Sequence, residues 1–250
     1  MHAERYGNGQ DLFFGLHGWS GDHRTWLPLV PYLPARATLI AVDLPGYGRS
    51  PAPARWTLDG VAREIAAGLI REAHRPMVVA GNCSGGLLAL AAATLPEARA
   101  AIARLVLIDP FALWPWYFRV FAAPRGGRLA YRAVFANPAG RWAANQAVSR
   151  QRAPGTHLTE GFSGVNHEAA WQHLALLRQM TPPEHFRALT LPIDIVHGSR
   201  TFGAVRRSVA IWKEIWPHAS VTELPGAGHL PIREAPAALA ELVFGGAARR

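Results

Sequence analysis

Short apolar runs alternate along this chain with longer stretches whose apolar residues fall three and four apart. Asp11-Leu12-Phe13-Phe14-Gly15-Leu16, Thr38 to Val42, Met77-Val78-Val79-Ala80, Leu105-Val106-Leu107-Ile108, Ile193 to His197 and Val221 to Leu224 read as strands. Between them, Asp22 is placed to cap a helix carrying Trp26, Leu29, Val30 and Leu33. Thr57 is placed to cap another that runs to about Ala73, with Leu58, Val61, Ile65, Leu69 and Ile70 at helical spacing. Leu87 to Leu95, Ser208 to Trp216 and Pro236 to Phe244 read as further helices. Strands in strict alternation with helices imply an α/β fold: a mostly parallel central sheet flanked by helices on both faces. Functional groups of such sheets gather at the carboxyl ends of the strands.

One segment breaks the alternation. From about Phe111 to Leu189 no buried strand is visible, and Trp114, Trp116, Tyr117, Phe118, Phe121, Tyr131, Phe135, Trp142, Phe162 and Trp171 crowd the stretch. It carries nine Arg against three Glu and no Asp. This segment is expected to be a helical lid, or cap, over residues 111–189, inserted after the strand that ends at Asp109. The core is then residues 1–110 and 190–250.

Composition narrows the class. A chain of 250 residues, half of them hydrophobic, can bury one large core. Formal net charge is +9, and Lys213 is the sole lysine, so nearly all the basic charge is arginine. Such a surface suits an acidic partner, such as an acyl carrier protein, or is simply a solvated face. No nucleic-acid motif accompanies the charge. A single cysteine, Cys83, rules out an internal disulfide. Met1 to Gln10 is polar and no apolar run approaches membrane-spanning length, so the cytoplasm is the expected location.

The chemistry centres on Gly81-Asn82-Cys83-Ser84-Gly85-Gly86. A strand, a sharp glycine-flanked turn and a helix make the setting of a nucleophile elbow, usually Gly-x-Ser-x-Gly, with Cys83 here at the centre. Ser84, in a register shifted by one, and an inert elbow with a merely buried Cys83 are the competing readings. A thiol attacks as thiolate, and a neighbouring imidazole makes that possible near neutral pH. His229, in Gly226-Ala227-Gly228-His229, is the candidate base.

These motifs, in this order, resemble those of the α/β-hydrolase superfamily over nearly the whole chain. His17-Gly18-Trp19 is similar to its oxyanion loop. Asp43-Leu44-Pro45-Gly46-Tyr47-Gly48-Arg49-Ser50 is similar to the loop after its next strand. Gly226 to His229, with Glu234-Ala235-Pro236 behind, is similar to its catalytic-histidine segment. The Leu-His-Gly-Trp opening and the size look most like the carboxylesterases of pimeloyl-carrier-protein methyl ester, and plant-type esterases and ring-cleavage hydrolases share the same pattern.

The chain departs from that pattern twice. The nucleophile is Cys where most members have Ser, and Thr201 stands in Ser199-Arg200-Thr201-Phe202 where the family usually places its acid. The resemblance moves the acid to Asp109, at the end of the strand after the elbow, where some relatives carry theirs. A Cys83–His229 dyad stays open, since Cys needs less help than Ser. Asp194, inside a strand, should point away or pair locally. The resemblance also implies an oxyanion hole from the backbone N–H groups of Trp19 and Ser84, with His17 supporting the loop. Trp19, Phe111, Trp114, Trp116 and Tyr117 are candidates to line an apolar acyl pocket. Arg119, Arg125, Arg128, Arg132, Arg141, Arg150 and Arg152 are candidates to receive an acidic carrier.

No cofactor motif is present. His167 and His173 lack metal-ligand spacing, so neither cofactor nor metal is expected. The implied activity is that of an esterase or thioesterase with a Cys-acyl intermediate. An acyltransferase or cyclising enzyme using the same thioester is the alternative, and a non-catalytic hydrolase-like binding protein the third reading. A dehalogenase would need a carboxylate at position 83.

Overall fold

The computed structural model describes residues 1–179 and 182–245. Seven strands form one sheet: β1 (Ala3–Tyr6), β2 (Asp11–Leu16), β3 (Ala37–Val42), β4 (Met77–Asn82), β5 (Ile102–Ile108), β6 (Ile193–Gly198) and β7 (Ser220–Leu224). Their order across the sheet is β1-β3-β2-β4-β5-β6-β7. All neighbours run parallel except β1, which pairs antiparallel with β3. β1 has no apolar run to betray it. It is an edge strand, only partly buried, and reads Ala-Glu-Arg-Tyr.

The core helices are α1 (Leu58–Glu72), α2 (Ser84–Ala93) and α3 (Pro96–Ala100). Thr57 caps α1 as expected, its side chain accepting from the Gly60 N–H. Asp22 also caps, accepting from the Arg24 N–H at 2.8 Å, but the segment behind it, His23–Tyr32, is a 3-10 helix. Pro28 and Pro31 remove two amide donors there, which disfavours a regular α-helix.

Between β5 and β6 the chain builds α4 (Trp116–Phe121), α5 (Gly127–Phe135), α6 (Pro138–Ala147) and α7 (His167–Leu177), joined by short 3-10 turns. The chain closes through α8 (Gly203–Ile215), α9 (Pro231–Glu234) and α10 (Pro236–Gly245). No helix among the described residues is long and apolar enough to cross a membrane.

Successive strand residues point to opposite faces, and the two faces bury separate cores. Phe14, Ile40, Val79 and Leu107 pack on the side of α1, α2 and α8. Phe13, Leu39, Val78 and Val106 pack against Trp26, Leu239 and Phe244 on the other side. The first core runs on without a break into the inserted helices, through Tyr131, Phe135, Phe162 and Leu176. These buried aromatics of the insert are therefore an extension of the sheet's own core, whereas Trp142 is exposed.

Candidate active site

β4 ends at Asn82 and α2 begins at Ser84, leaving Cys83 alone in the turn with φ 52° and ψ −116°. A non-glycine residue held there costs on the order of 1–3 kcal/mol. The Cys83 N–H is fixed by the Ile108 carbonyl at 2.7 Å. A Cβ on Gly81 would lie 2.4 Å from the Gly86 Cα, and one on Gly85 would lie 2.3 Å from the His17 carbonyl oxygen. Both flanking glycines are thus demanded by backbones that pass too close for any side chain. Ser84, in the first turn of α2, has an N–H with no intrahelical acceptor.

His229 sits in the loop before α9. Its N–H donates to the Gln151 carbonyl at 2.7 Å, and its ring lies between Phe111 and Phe202, at centroid distances of 5.6 and 4.8 Å. Glu234 accepts from the Gly228 N–H and ties the loop to Ala153 and Thr156. His229 Nδ1 donates to Asp109 Oδ2 at 2.7 Å, which leaves Nε2 for the cavity that His229 and Cys83 both line. Burial alone would lower the imidazole pKa. The charge of Cys83, then the hydrogen bond donated to Asp109, outweigh burial and raise it to about 10.

Asp109 is fully buried, with φ 51°. Its Oδ1 accepts the Gly198 N–H at 3.0 Å. Its Oδ2 also accepts the Thr201 hydroxyl at 2.5 Å, and that hydroxyl lies 3.2 Å from His229 Nδ1. The structure therefore brings Cys83, His229 and Asp109 into one row. It adds Thr201, whose part the sequence showed only as a gap in the expected pattern.

The other candidates divide. His17 is fully buried: Nδ1 donates to the Gly18 carbonyl at 2.8 Å and Nε2 accepts the Leu44 N–H at 3.0 Å. Burial pushes its pKa down to about 4, so it is a neutral brace for the loop. Asp194 pairs with Arg104 on the neighbouring strand. His167 contacts the Tyr131 hydroxyl at 3.1 Å. His173 goes deeper than an insert residue was expected to: it is 1% exposed, and its Nε2 lies 3.1 Å from Ser84 Oγ. Nothing but its residue type marked it in the sequence. Arg119, Arg125, Arg128, Arg132 and Arg150 are exposed, whereas Arg141 and Arg152 are half-buried and donate to the carbonyls of Phe135 and Thr156.

A cavity of about 1140 Å³ opens above the thiol. Trp19, Cys83, Phe111, Tyr117 and His229 line it. The Tyr117 phenol is held up at about 12, first by burial and then by the charge of Cys83. A second, apolar pocket of about 30 Å³ shares Trp19, Cys83 and Phe111 with the first and adds Ser84 and Trp114. The Trp116 side chain lies outside the described part of the structure. Among the described residues, one group has ligand atoms close enough for a metal: His2, His23 and Asp43. Its members do not line either pocket, and Asp43 is already taken up by His23 at 2.8 Å and the Arg49 N–H at 2.8 Å.

The chain is similar to several known proteins. Lipase LipV of Mycobacterium tuberculosis is 38% identical over 112 residues, a match spanning 44% of this chain and 41% of that protein. The pimeloyl-[acyl-carrier protein] methyl ester esterase of Aeromonas hydrophila subsp. hydrophila is 28% identical across 97% of both chains. Among solved structures, a hydrolase from Pseudomonas aeruginosa PA01 superposes with TM-score 0.80 at 18% identity, covering 98% of this chain and 93% of that one. A thermophilic esterase from Thermogutta terrifontis gives TM-score 0.75 at 21% identity, covering 98% and 92%. These structural likenesses share the fold. The alpha/beta hydrolase family model matches residues 13–242, and the chain belongs to that family.

Proposed function

We propose that this protein is an acyl hydrolase, an esterase or thioesterase, that works through a covalent thioester on Cys83. The single observation that carries the reading is that Cys83 and His229 line one largely apolar cavity while Asp109 takes a hydrogen bond from the imidazole. His229, oriented by Asp109, takes the thiol proton. The sulfur attacks the substrate carbonyl, and the backbone N–H groups of Trp19 and Ser84 receive the negative charge that develops on oxygen. Imidazolium then protonates the leaving alcohol or thiol. Water, deprotonated by His229, releases the acid and restores the thiol.

The inserted helices act as a lid that keeps the cavity apolar. The cavity above the thiol holds the longer arm of the substrate. The pocket of about 30 Å³ has room for roughly a methyl group. That asymmetry favours a methyl-ester-like substrate of the kind named for the Aeromonas relative. The exposed arginines of the lid and a net charge of +9 suit an acidic carrier that presents the acyl chain. The thiol nucleophile also favours a second reading, acyl transfer, because a thioester reacts readily with amines and thiols.

Incubation with a panel of acyl esters and thioesters, followed by intact mass, tests the core claim. An acyl adduct mapped to Cys83 and loss of turnover in Cys83→Ala are expected. Turnover retained by Cys83→Ala removes the proposal. Adding amine or alcohol acceptors separates hydrolysis from transfer by product mass.

A further inference from the structure

Two hydrogen bonds, one buried and one partly buried, tie the insert to the side chains of the two residues whose backbone amides are assigned to the oxyanion hole, and they come from one face of one helix. The Trp19 indole N–H donates to the Ala170 carbonyl at 2.7 Å. Ser84 Oγ and His173 Nε2 are 3.1 Å apart. Ala170 and His173 are three residues apart in α7, hence neighbours on its surface. Ala170, Ser84 and His173 are 0%, 2% and 1% exposed. The Trp19 ring is further wedged against Phe135 and Phe162 at 5.0 and 4.8 Å. His173 packs edge-on against Tyr47 at 5.5 Å, and Tyr47 in turn packs on His17, the brace of the same loop.

We infer that α7 is the strut that aims the oxyanion hole, and that Ser84 and His173 form its positioning pair. The inference rests on the Cys83 reading above. An oxyanion hole works only if its donors lie about 3 Å from where the charged oxygen will be. A serine hydroxyl in the first turn of a helix tends to bond neighbouring backbone groups, and so competes for the amides the oxyanion needs. Engaging that hydroxyl with His173 removes the competitor and fixes the Ser84 backbone. Burial holds the His173 pKa down near 3, so the pair is a neutral hydrogen bond under working conditions. Trp19 is fixed from the same helix by its indole. His173 touches neither thiol nor imidazole in this scheme; it acts through Ser84.

The test compares a reaction that develops an oxyanion with one that does not. Ester turnover needs the hole, whereas alkylation of the Cys83 thiol by iodoacetamide needs only thiolate and access. Ser84→Ala and His173→Phe are each expected to lower kcat about tenfold with KM held within about twofold. The alkylation rate should be unchanged. The double variant should be no worse than the poorer single one, since either change breaks the same pair. His173→Gln, whose amide reaches the same place as Nε2, should recover most of kcat. Unchanged kcat in Ser84→Ala and His173→Phe, or alkylation falling in parallel with kcat, overturns the inference. So do multiplicative losses in the double variant, or no recovery by His173→Gln. Turnover surviving in Cys83→Ala is a different result, because there the nucleophile assignment fails first and takes the strut with it.

Discussion

Cys83 and Asp109 are the two non-glycine residues with positive φ among those described, and they sit side by side. Asn82 and Ile108 are register partners at the ends of β4 and β5, so the next residue on each strand turns off the sheet at the same level. His229 bridges the two from a third loop. Thr201, after β6, meets both the carboxylate and the imidazole, so the position where the family usually places its acid lies within reach of the His229 ring. In the proposed mechanism, Asp109→Asn should lower kcat about ten- to a hundredfold. Adding Thr201→Asp to that variant should return a measurable part of it. A double variant as inactive as the single one would show that position 201 cannot serve. The imidazole pKa, raised from its ordinary 6.5 to about 10, has a definite sign. Its stabilisation is complete below about pH 6.5 and is lost as pH rises through about 10. The alkaline limb of kcat/KM should therefore fall near pH 10. In Cys83→Ala, which removes the largest raising influence, the ring should titrate lower by NMR. A ring that titrates at the same pH with and without the thiol would contradict this.

The elbow is a property of three elements rather than of its own six residues. The end of β2, the end of β4 and the start of α2 converge so closely that glycine is required on both sides of Cys83. Gly85→Ala would press a methyl on the His17 carbonyl oxygen at 2.3 Å, against backbone that cannot step aside. We expect a loss of about 1–3 kcal/mol, read as a drop in thermal midpoint, together with a fall in kcat as α2 shifts the Ser84 amide. Gly245→Ala, where no atom lies within 4 Å, is the matched control and should leave both quantities unchanged. Equal effects at the two positions would mean that crowding at the elbow is not what the glycine relieves. At this scale the sequence was legible where periodicity was strong. It was silent at β1, whose polar edge has no pattern, and it placed the helix capped by Asp22 without its 3-10 form, which two prolines favour by removing amide donors.

At the scale of the molecule, the insert both lines the cavity and braces the loops around it. Its buried aromatics continue the sheet's core, its Gln151 carbonyl holds the His229 loop, and its α7 reaches down to Ser84. Much of the arginine excess lies on the outside of that same insert. If an acidic carrier docks there, raising ionic strength from about 0.05 to about 0.5 M should weaken kcat/KM for a carrier-bound acyl ester. A small free ester should be unaffected. Parallel salt responses for the two substrates would assign the arginines to solvation alone.

What the sequence determined by itself was the order of strands from β2 to β7 with the helices between them, the glycine-framed turn with a sulfur at its centre, and the glycine-flanked histidine far along the chain. Each is written in local spacing, because hydrophobic period and turn chemistry act over a few residues. What only the tertiary structure decided was the company these residues keep. That Asp109 turns toward His229, that Thr201 closes on both, and that His173 comes to rest on Ser84 are contacts between positions 28 to 120 residues apart. No local pattern encodes them, since they follow from which strands lie side by side and from how deeply the insert is seated on the sheet.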